Sequence, residues 1–154
     1  MEPVTIEDYV KNRYEPQMEY YRKASAKNQR KYKNYQAVLI VLSALTPVFA
    51  ALSAIKVSAV NEGFETAIKI LVIVVSSIVG IINTVQKTYN YHEIWIIYRT
   101  TYEKLKPEIN YYNFNVGAYG DSVVNKDTLF VTRIETILDT EHSQWPSIKT
   151  TTKS

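Results

Sequence analysis

Two short polar series interrupt otherwise apolar stretches of this chain. One is Ser76, Gly80, Asn83 and Lys87, with Thr84 beside it. The other is Ser43 and Pro47, continued by Ala50, Ala51, Ala54 and Ser58. Steps of three and four place each series on one face of a helix. In lipid, small residues let helices approach closely, while polar groups facing hydrocarbon are costly. Two readings follow. The small faces could pack two helices of one chain against each other. Alternatively, several copies associate, and the Ser76–Gly80–Asn83–Lys87 face lines a water-accessible path that two helices cannot enclose alone. Ser77, Asn83, Thr84 and Gln86 also need partners or water. Ser43, Pro47, Ser76, Gly80, Asn83, Thr84 and Lys87 are therefore the candidate pore-lining or helix-interface residues. Pro47 cannot donate to the Ser43 carbonyl, so a kink is expected there, serving as a fixed bend or as a gating hinge.

Catalytic chemistry has little to stand on. The chain holds two histidines, His92 and His142, and neither has metal-ligand spacing. Glu93 and Glu141 are their sequence neighbours, but adjacent residues on a helix do not face each other. A histidine near a membrane can sense pH, or it can be an ordinary surface residue. No phosphate-binding glycine loop, HExxH or G-x-S-x-G occurs. There is no cysteine, which removes disulfides, thiolate metal sites and thiol nucleophiles. The expectation is a non-enzyme without catalytic residues, cofactor or metal.

The elements that position the polar series are two hydrophobic runs. Between Lys33 and Lys56 lie 22 residues without a charge. As a helix they extend about 33 Å, enough for a ~30 Å hydrocarbon layer. The second run, Ile70 to Gln86, has 17 uncharged residues. It is at the short end for a crossing, and Lys69 would snorkel outward to lengthen it. Asn61-Glu-Gly63 is the turn signal between the two. An acidic start, Met1 to Asp8, does not resemble a signal peptide. The first run would serve as its own uncleaved insertion signal.

Charge sets the expected direction. Arg22, Lys23, Lys27, Arg30, Lys31 and Lys33 precede the first run, and Lys87, Arg99, Lys104 and Lys106 follow the second. The loop between carries Lys56 and Lys69 with Glu62 and Glu65. This asymmetry puts both termini in the cytoplasm of a multi-pass protein of the cell (inner) membrane. The basic collar could also touch anionic headgroups. The net charge of +3 is mild, and no nucleic-acid partner is expected.

The flanks read as helices. Ile6, Tyr9, Val10 and Tyr14 suggest a short amphipathic helix that Pro16 interrupts or restarts. From Gln17 the chain has no glycine or proline until the hydrophobic run, so one helix is expected from Gln17 through the membrane to about Ser58. Tyr89, Tyr91, Trp95 and Tyr98 could form an interfacial belt or the core of a helix leaving the membrane. Ile94, Ile97, Tyr98, Thr101, Tyr102 and Leu105 recur at helical spacing and favour the second. Residues 113–125 read as a glycine-containing loop. Leu129, Phe130, Arg133, Ile134, Ile137, Leu138 and Glu141 form an amphipathic helix capped by Asn125 or Asp127 and ended by Trp145-Pro146. That helix would pack back on the extended helices.

The resulting reading is an all-α membrane protein, one domain over residues 1–154. A cytoplasmic helical part occupies 1–34, a transmembrane helix 35–58, a short outer loop 59–63 and a second transmembrane helix 64–86. A cytoplasmic helix follows at 87–112 and a C-terminal helix at 126–143. A soluble helical protein with an acidic partner is the alternative that a membrane reading must displace.

The ordered pattern resembles the SLATT family, the SMODS- and SLOG-associating two-transmembrane effector domains. It consists of Gln17…Tyr21-Arg-Lys-Ala24, Leu42-Ser-Ala-Leu-Thr-Pro47, Trp95-Ile-Ile-Tyr-Arg99, Glu103…Leu105…Glu108, and Tyr119…Leu129-Phe-Val-Thr-Arg133-Ile-Glu135 with the closing Trp145. The resemblance implies a homo-oligomeric, pore- or channel-forming membrane effector of a bacterial nucleotide-signalling or anti-phage conflict system. A nucleotide-producing or sensing protein is the implied partner, beside the lipid membrane. No catalytic residue comes with it. Trp95, Tyr98, Arg99, Phe130, Arg133 and Glu135 are carried over as cytoplasmic pattern positions with structural roles. Arg99 could pair with Glu103 or, across helices, with Glu135; the cross-helix pairing is expected to hold the bundle together, contributing little if exposed. An alternative keeps the spans as an anchor and has the tyrosine-rich cytoplasmic helices recruit a partner.

Overall fold

The structure is a computed structural model that describes residues 5–54, 62–120 and 124–150. The elements among them are all helical: α1 (Ile6–Tyr9), a π turn (Val10–Tyr14), α2 (Glu15–Ala54), α3 (Glu62–Tyr89), α4 (Tyr91–Leu105), α5 (Glu108–Phe114), a 3-10 turn (Gly117–Tyr119) and α6 (Lys126–Thr150). They divide into two compact units, residues 1–29 with 92–154 and residues 30–91.

In the first unit, Thr5 opens α1 with a reciprocal cap. Its hydroxyl accepts from the Asp8 N–H at 3.2 Å, and the Asp8 carboxylate accepts from the Thr5 N–H at 3.3 Å. Instead of an interruption at Pro16, a π turn lies just ahead of it, where the Glu15 N–H reaches back to the Val10 carbonyl. Proline has no N–H to continue the ladder, and the wider turn sits beside that missing donor. α2 then runs unbroken from Glu15 to Ala54, so the single long helix is found. Its expected exit near Ser58 lies outside the described residues.

The core of this unit is Tyr14, Tyr21, Tyr98, Leu105, Tyr119, Phe130, Ile134 and Leu138. Phe130 is fully buried, with the rings of Tyr9, Tyr14, Tyr112 and Tyr119 at centroid distances of 6.4, 5.6, 4.9 and 6.3 Å. A buried tyrosine needs a partner for its hydroxyl. Tyr14 donates to the Leu105 carbonyl at 2.9 Å, Tyr21 to Glu141 at 3.2 Å and Tyr119 to Glu108 at 2.5 Å. α6 is capped by Asn125, whose Oδ1 accepts from the Thr128 N–H at 3.0 Å. It presents Phe130, Ile134 and Leu138 to the core, as its periodicity predicts. It does not end at Trp145-Pro146; the helical backbone continues to Thr150. Proline removes one donor from the ladder but leaves the neighbouring bonds in place.

In the second unit, Tyr35 near the start of the first apolar run stacks on Tyr91 beyond the end of the second, at 5.8 Å. The segment 55–61 joins the other two ends, so the helices form an antiparallel hairpin. Its inner seam is read from burial. Leu39 is buried, and Leu42, Thr46, Phe49 and Ser53 are partly buried on the same face of α2. Val75 is buried, with Ile68, Val72, Val79, Ile82 and Gln86 partly buried on one face of α3. These alternating steps of three and four are the repeat of a left-handed helix pair. The Gln86 Nε2 is shielded at this seam without a hydrogen-bond partner among the described residues.

The expected helix over 87–112 is in fact three pieces. α3 ends where Asn90 takes a left-handed conformation, φ 46°. Asparagine visits that region more readily than most residues. The turn at Lys106-Pro107 separates α4 from α5. Tyr89, Tyr91, Trp95 and Tyr98 accordingly divide. Tyr89 and Tyr91 stack at the hairpin end with Lys31 over the Tyr91 ring, whereas Tyr98 is buried in the core of the other unit.

Candidate functional site on the outer faces of the hairpin

Both apolar helices are long and apolar enough to cross a membrane. Their most apolar 18-residue windows have mean hydropathies of 1.9 and 2.3, and 6% of each window is buried. A core helix of a soluble protein would be mostly covered. Here Ile40, Val41, Val48, Ile70, Ile73 and Ile81 are all more than half exposed.

The seam decides what the polar series can contact. Because Leu39, Leu42, Thr46 and Phe49 turn toward α3, the residues between them turn outward. Ser43, Pro47, Ala50 and Ala51 are all exposed. Because Val72, Val75, Val79 and Ile82 turn toward α2, Ser76, Gly80, Asn83, Thr84 and Lys87 are exposed as well. The small faces are therefore not what holds this hairpin together; aliphatic side chains do that. A Cβ built on Gly80 would meet nothing within 4 Å, so no close approach within the chain requires glycine there.

The polar groups on these faces differ in how they are satisfied. Thr84 donates back to the Gly80 carbonyl at 2.9 Å and Ser77 to the Ile73 carbonyl at 2.8 Å. Such bonds let a hydroxyl sit in an apolar setting at low cost. Asn83 makes no such bond among the described residues and is exposed away from the seam. On α2, Thr46 donates to the Leu42 carbonyl at 2.8 Å, one residue before the Ser43 carbonyl that Pro47 leaves without its helical donor.

A family described as protein of unknown function (DUF4231) has a model that matches residues 16–127. The chain belongs to this family. The DUF4231 match takes in all of α3, α4 and α5 and nearly all of α2, and it ends at the second residue of α6. No curated protein and no solved structure matches the chain.

The six pattern positions outside the spans lie together in the first unit but in different roles. Phe130 and Tyr98 are core residues, 0% and 7% exposed. Arg133 makes a two-pronged contact to Glu108, Nε to Oε2 at 2.9 Å and Nη2 to Oε1 at 2.7 Å. Burial alone would raise the Glu108 carboxyl. The Arg133 guanidinium and the Tyr119 hydroxyl outweigh it and hold the group below the usual carboxylate range. Arg99 pairs with Glu103 on its own helix, both ends exposed. The cross-helix pairing of Arg99 with Glu135 is not made. Glu135 instead accepts from Arg13 at 3.1 and 3.0 Å and from the Tyr9 hydroxyl at 2.7 Å. The Arg13 contact is the main reason its carboxyl lies below the usual range.

Helical spacing places Glu141 on the packed stripe of α6 without revealing its partner, and it does not by itself reveal a cavity. Glu141 is a buried carboxylate on α6, 4% exposed, hydrogen-bonded by Tyr21. A cavity of about 360 Å³ is lined by Arg22, Ser25, Ala26 and Gln29 of α2 and Trp95, Arg99 and Tyr102 of α4. The signal for the cavity was present as matched spacings: 22, 25, 29 on one helix and 95, 99, 102 on the other. No group of three or more His, Cys, Asp or Glu residues able to hold a metal occurs among the described residues.

Proposed function

We propose that this protein is a multi-pass membrane protein whose hairpins associate into a homo-oligomer, and that the outward polar faces of the spans border a path for ions or small solutes. The observation that carries this reading is that the polar series takes no part in sealing the hairpin. One aliphatic stripe on each helix seals the hairpin, while Ser43, Pro47, Ser76, Gly80, Asn83 and Thr84 lie on the outer surface among exposed Ile, Leu and Val side chains. In hydrocarbon, Asn83 and the small residues around it are better placed against another protein helix or water than against lipid. Two helices cannot surround a pore, so copies of the same chain supply the remaining wall.

The basic collar at Arg22–Lys33 and Lys87–Lys106 supports insertion with both termini in the cytoplasm. The SLATT resemblance supports a narrower role, a membrane effector of a bacterial nucleotide-signalling or anti-phage conflict system acting with a nucleotide-producing or sensing partner. A second reading, a membrane-anchored module that recruits a partner, is favoured by the separate core of the first unit.

Reconstitution into liposomes separates the two. Ion flux that changes in Gly80→Trp and Ser76→Leu supports the path. Absence of flux, or flux unaltered in both variants, would sink it. Function that survives both changes but is lost when residues 92–150 are replaced selects the anchored module.

A further inference from the structure

The cavity between the first half of α2 and α4 is built from groups that complement one another chemically. Arg22 and Arg99 stand at its edge, Trp95 and Tyr102 contribute aromatic surface, and Ser25 and Gln29 contribute hydrogen-bonding groups. Ser25 is 5% exposed, and its hydroxyl makes no hydrogen bond among the described residues. Its Oγ is not sealed from water but opens onto this space. A ligand in the cavity would meet this hydroxyl.

Each arginine is already paired, but only through exposed contacts along its own helix. Arg22 spends Nε and Nη2 on Glu19 at 2.7 and 2.8 Å. Arg99 spends Nη2 on Glu103. A guanidinium carries five N–H donors, so both keep donors for an incoming anion. Exposed ion pairs of this kind contribute little and exchange readily. Glu19 and Glu103 do not line the cavity. The planar guanidiniums and the indole also offer flat faces on which a ring can stack. A volume of about 360 Å³ is at the small end of the ~300–1,000 Å³ typical of ligand pockets.

We propose that this cavity binds a small phosphorylated ring compound, an aryl or heteroaryl phosphate. Its phosphate is held by Arg22 and Arg99, its ring lies against Trp95 and Tyr102, and its polar edge meets Ser25 and Gln29. Phosphate alone would leave the aromatic wall unused, so a bare anion is expected to bind more weakly.

The chain contains two tryptophans. Trp145→Phe therefore leaves Trp95 as the sole indole reporter in the full-length protein. Phenyl phosphate is titrated against this protein in detergent, with inorganic phosphate and phenol as the anion-only and ring-only probes. Expected is saturable quenching of Trp95 by phenyl phosphate with a Kd under about 1 mM, and binding at least about tenfold weaker for each simpler probe. Arg22→Gln and Arg99→Gln each weaken phenyl phosphate by about tenfold or more with helix content unchanged by circular dichroism. Ser25→Ala weakens it by a smaller factor. No saturable quenching up to about 10 mM, undiminished binding in both arginine variants, or equal binding of inorganic phosphate overturns the proposal. So does quenching that appears only in nanodiscs of anionic lipid, which would assign the guanidiniums to a headgroup.

Discussion

Removing Arg133 should do more than lower stability; it should reverse the sign of the Glu108 contribution to the response to acid. Glu108 is 4% exposed and holds two partners, the Arg133 guanidinium and the Tyr119 hydroxyl. Arg133→Leu takes the countercharge away and leaves a carboxylate in a site that burial alone penalises. Breaking a buried pair this way costs about 3–5 kcal/mol. The Arg133 side chain is itself 42% exposed, so water can partly replace it. The expectation at neutral pH is therefore about 2–3 kcal/mol.

The pH dependence identifies the mechanism. In the wild type the folded-state carboxyl is depressed, so its contribution is present above the unfolded-state value and is lost as pH falls through the folded value. In Arg133→Leu, burial without a countercharge raises the folded value. That penalty is felt at neutral pH and disappears as acid protonates the group. The stability gap between the two proteins must therefore narrow on going from pH 7 to pH 4. Thermal unfolding followed by circular dichroism across that range measures it. Glu108→Gln in the same background tests the pairing, because the two changes should cost less together than separately. A gap that stays constant or widens in acid would refute the reasoning.

Two further outcomes follow from the packing. Phe130→Ala, at the centre of four tyrosine rings, should cost about 3–5 kcal/mol and deprotect amides of residues 6–29 and 92–143 in hydrogen exchange; a loss below about 1 kcal/mol would contradict the assigned core. Asn90→Val should be less stable than Asn90→Gly by about 1–2 kcal/mol in the same unfolding assay, because only the glycine accepts the left-handed backbone without strain; equal stability would contradict the break between α3 and α4.

What could be read in advance follows from which interactions are local. The 22-residue charge-free run and the 3–4 spacing of Phe130, Ile134 and Leu138 are periodic signals, and both produce the helices expected of them. Asn125 as the cap of α6 is likewise a local bond. The break at Asn90 carries no proline or glycine, only a residue type tolerant of positive φ, so the pattern ran through it. The partner of Glu135 could not be found by helical spacing, since Arg13 comes from 122 positions away at the other end of the chain. Arg99 has its i+4 glutamate at hand and takes it. The direction of the polar faces was also hidden. Small-residue stripes and aliphatic stripes can each seal a hairpin, and the choice depends on the packing of α2 against α3. That choice fell on Leu39, Leu42, Phe49, Val72, Val75 and Val79, which leaves Ser43, Ser76, Gly80 and Asn83 outside.

The outward placement of those residues leads to the central claim, that copies of the hairpin assemble around a shared polar path. The mass of the assembled particle tests it most directly, measured both in detergent by light scattering and in lipid nanodiscs by native mass spectrometry. The account predicts a discrete homo-oligomer in both, shifted to smaller species by Gly80→Trp. A single 17.8 kDa chain in both environments would contradict it.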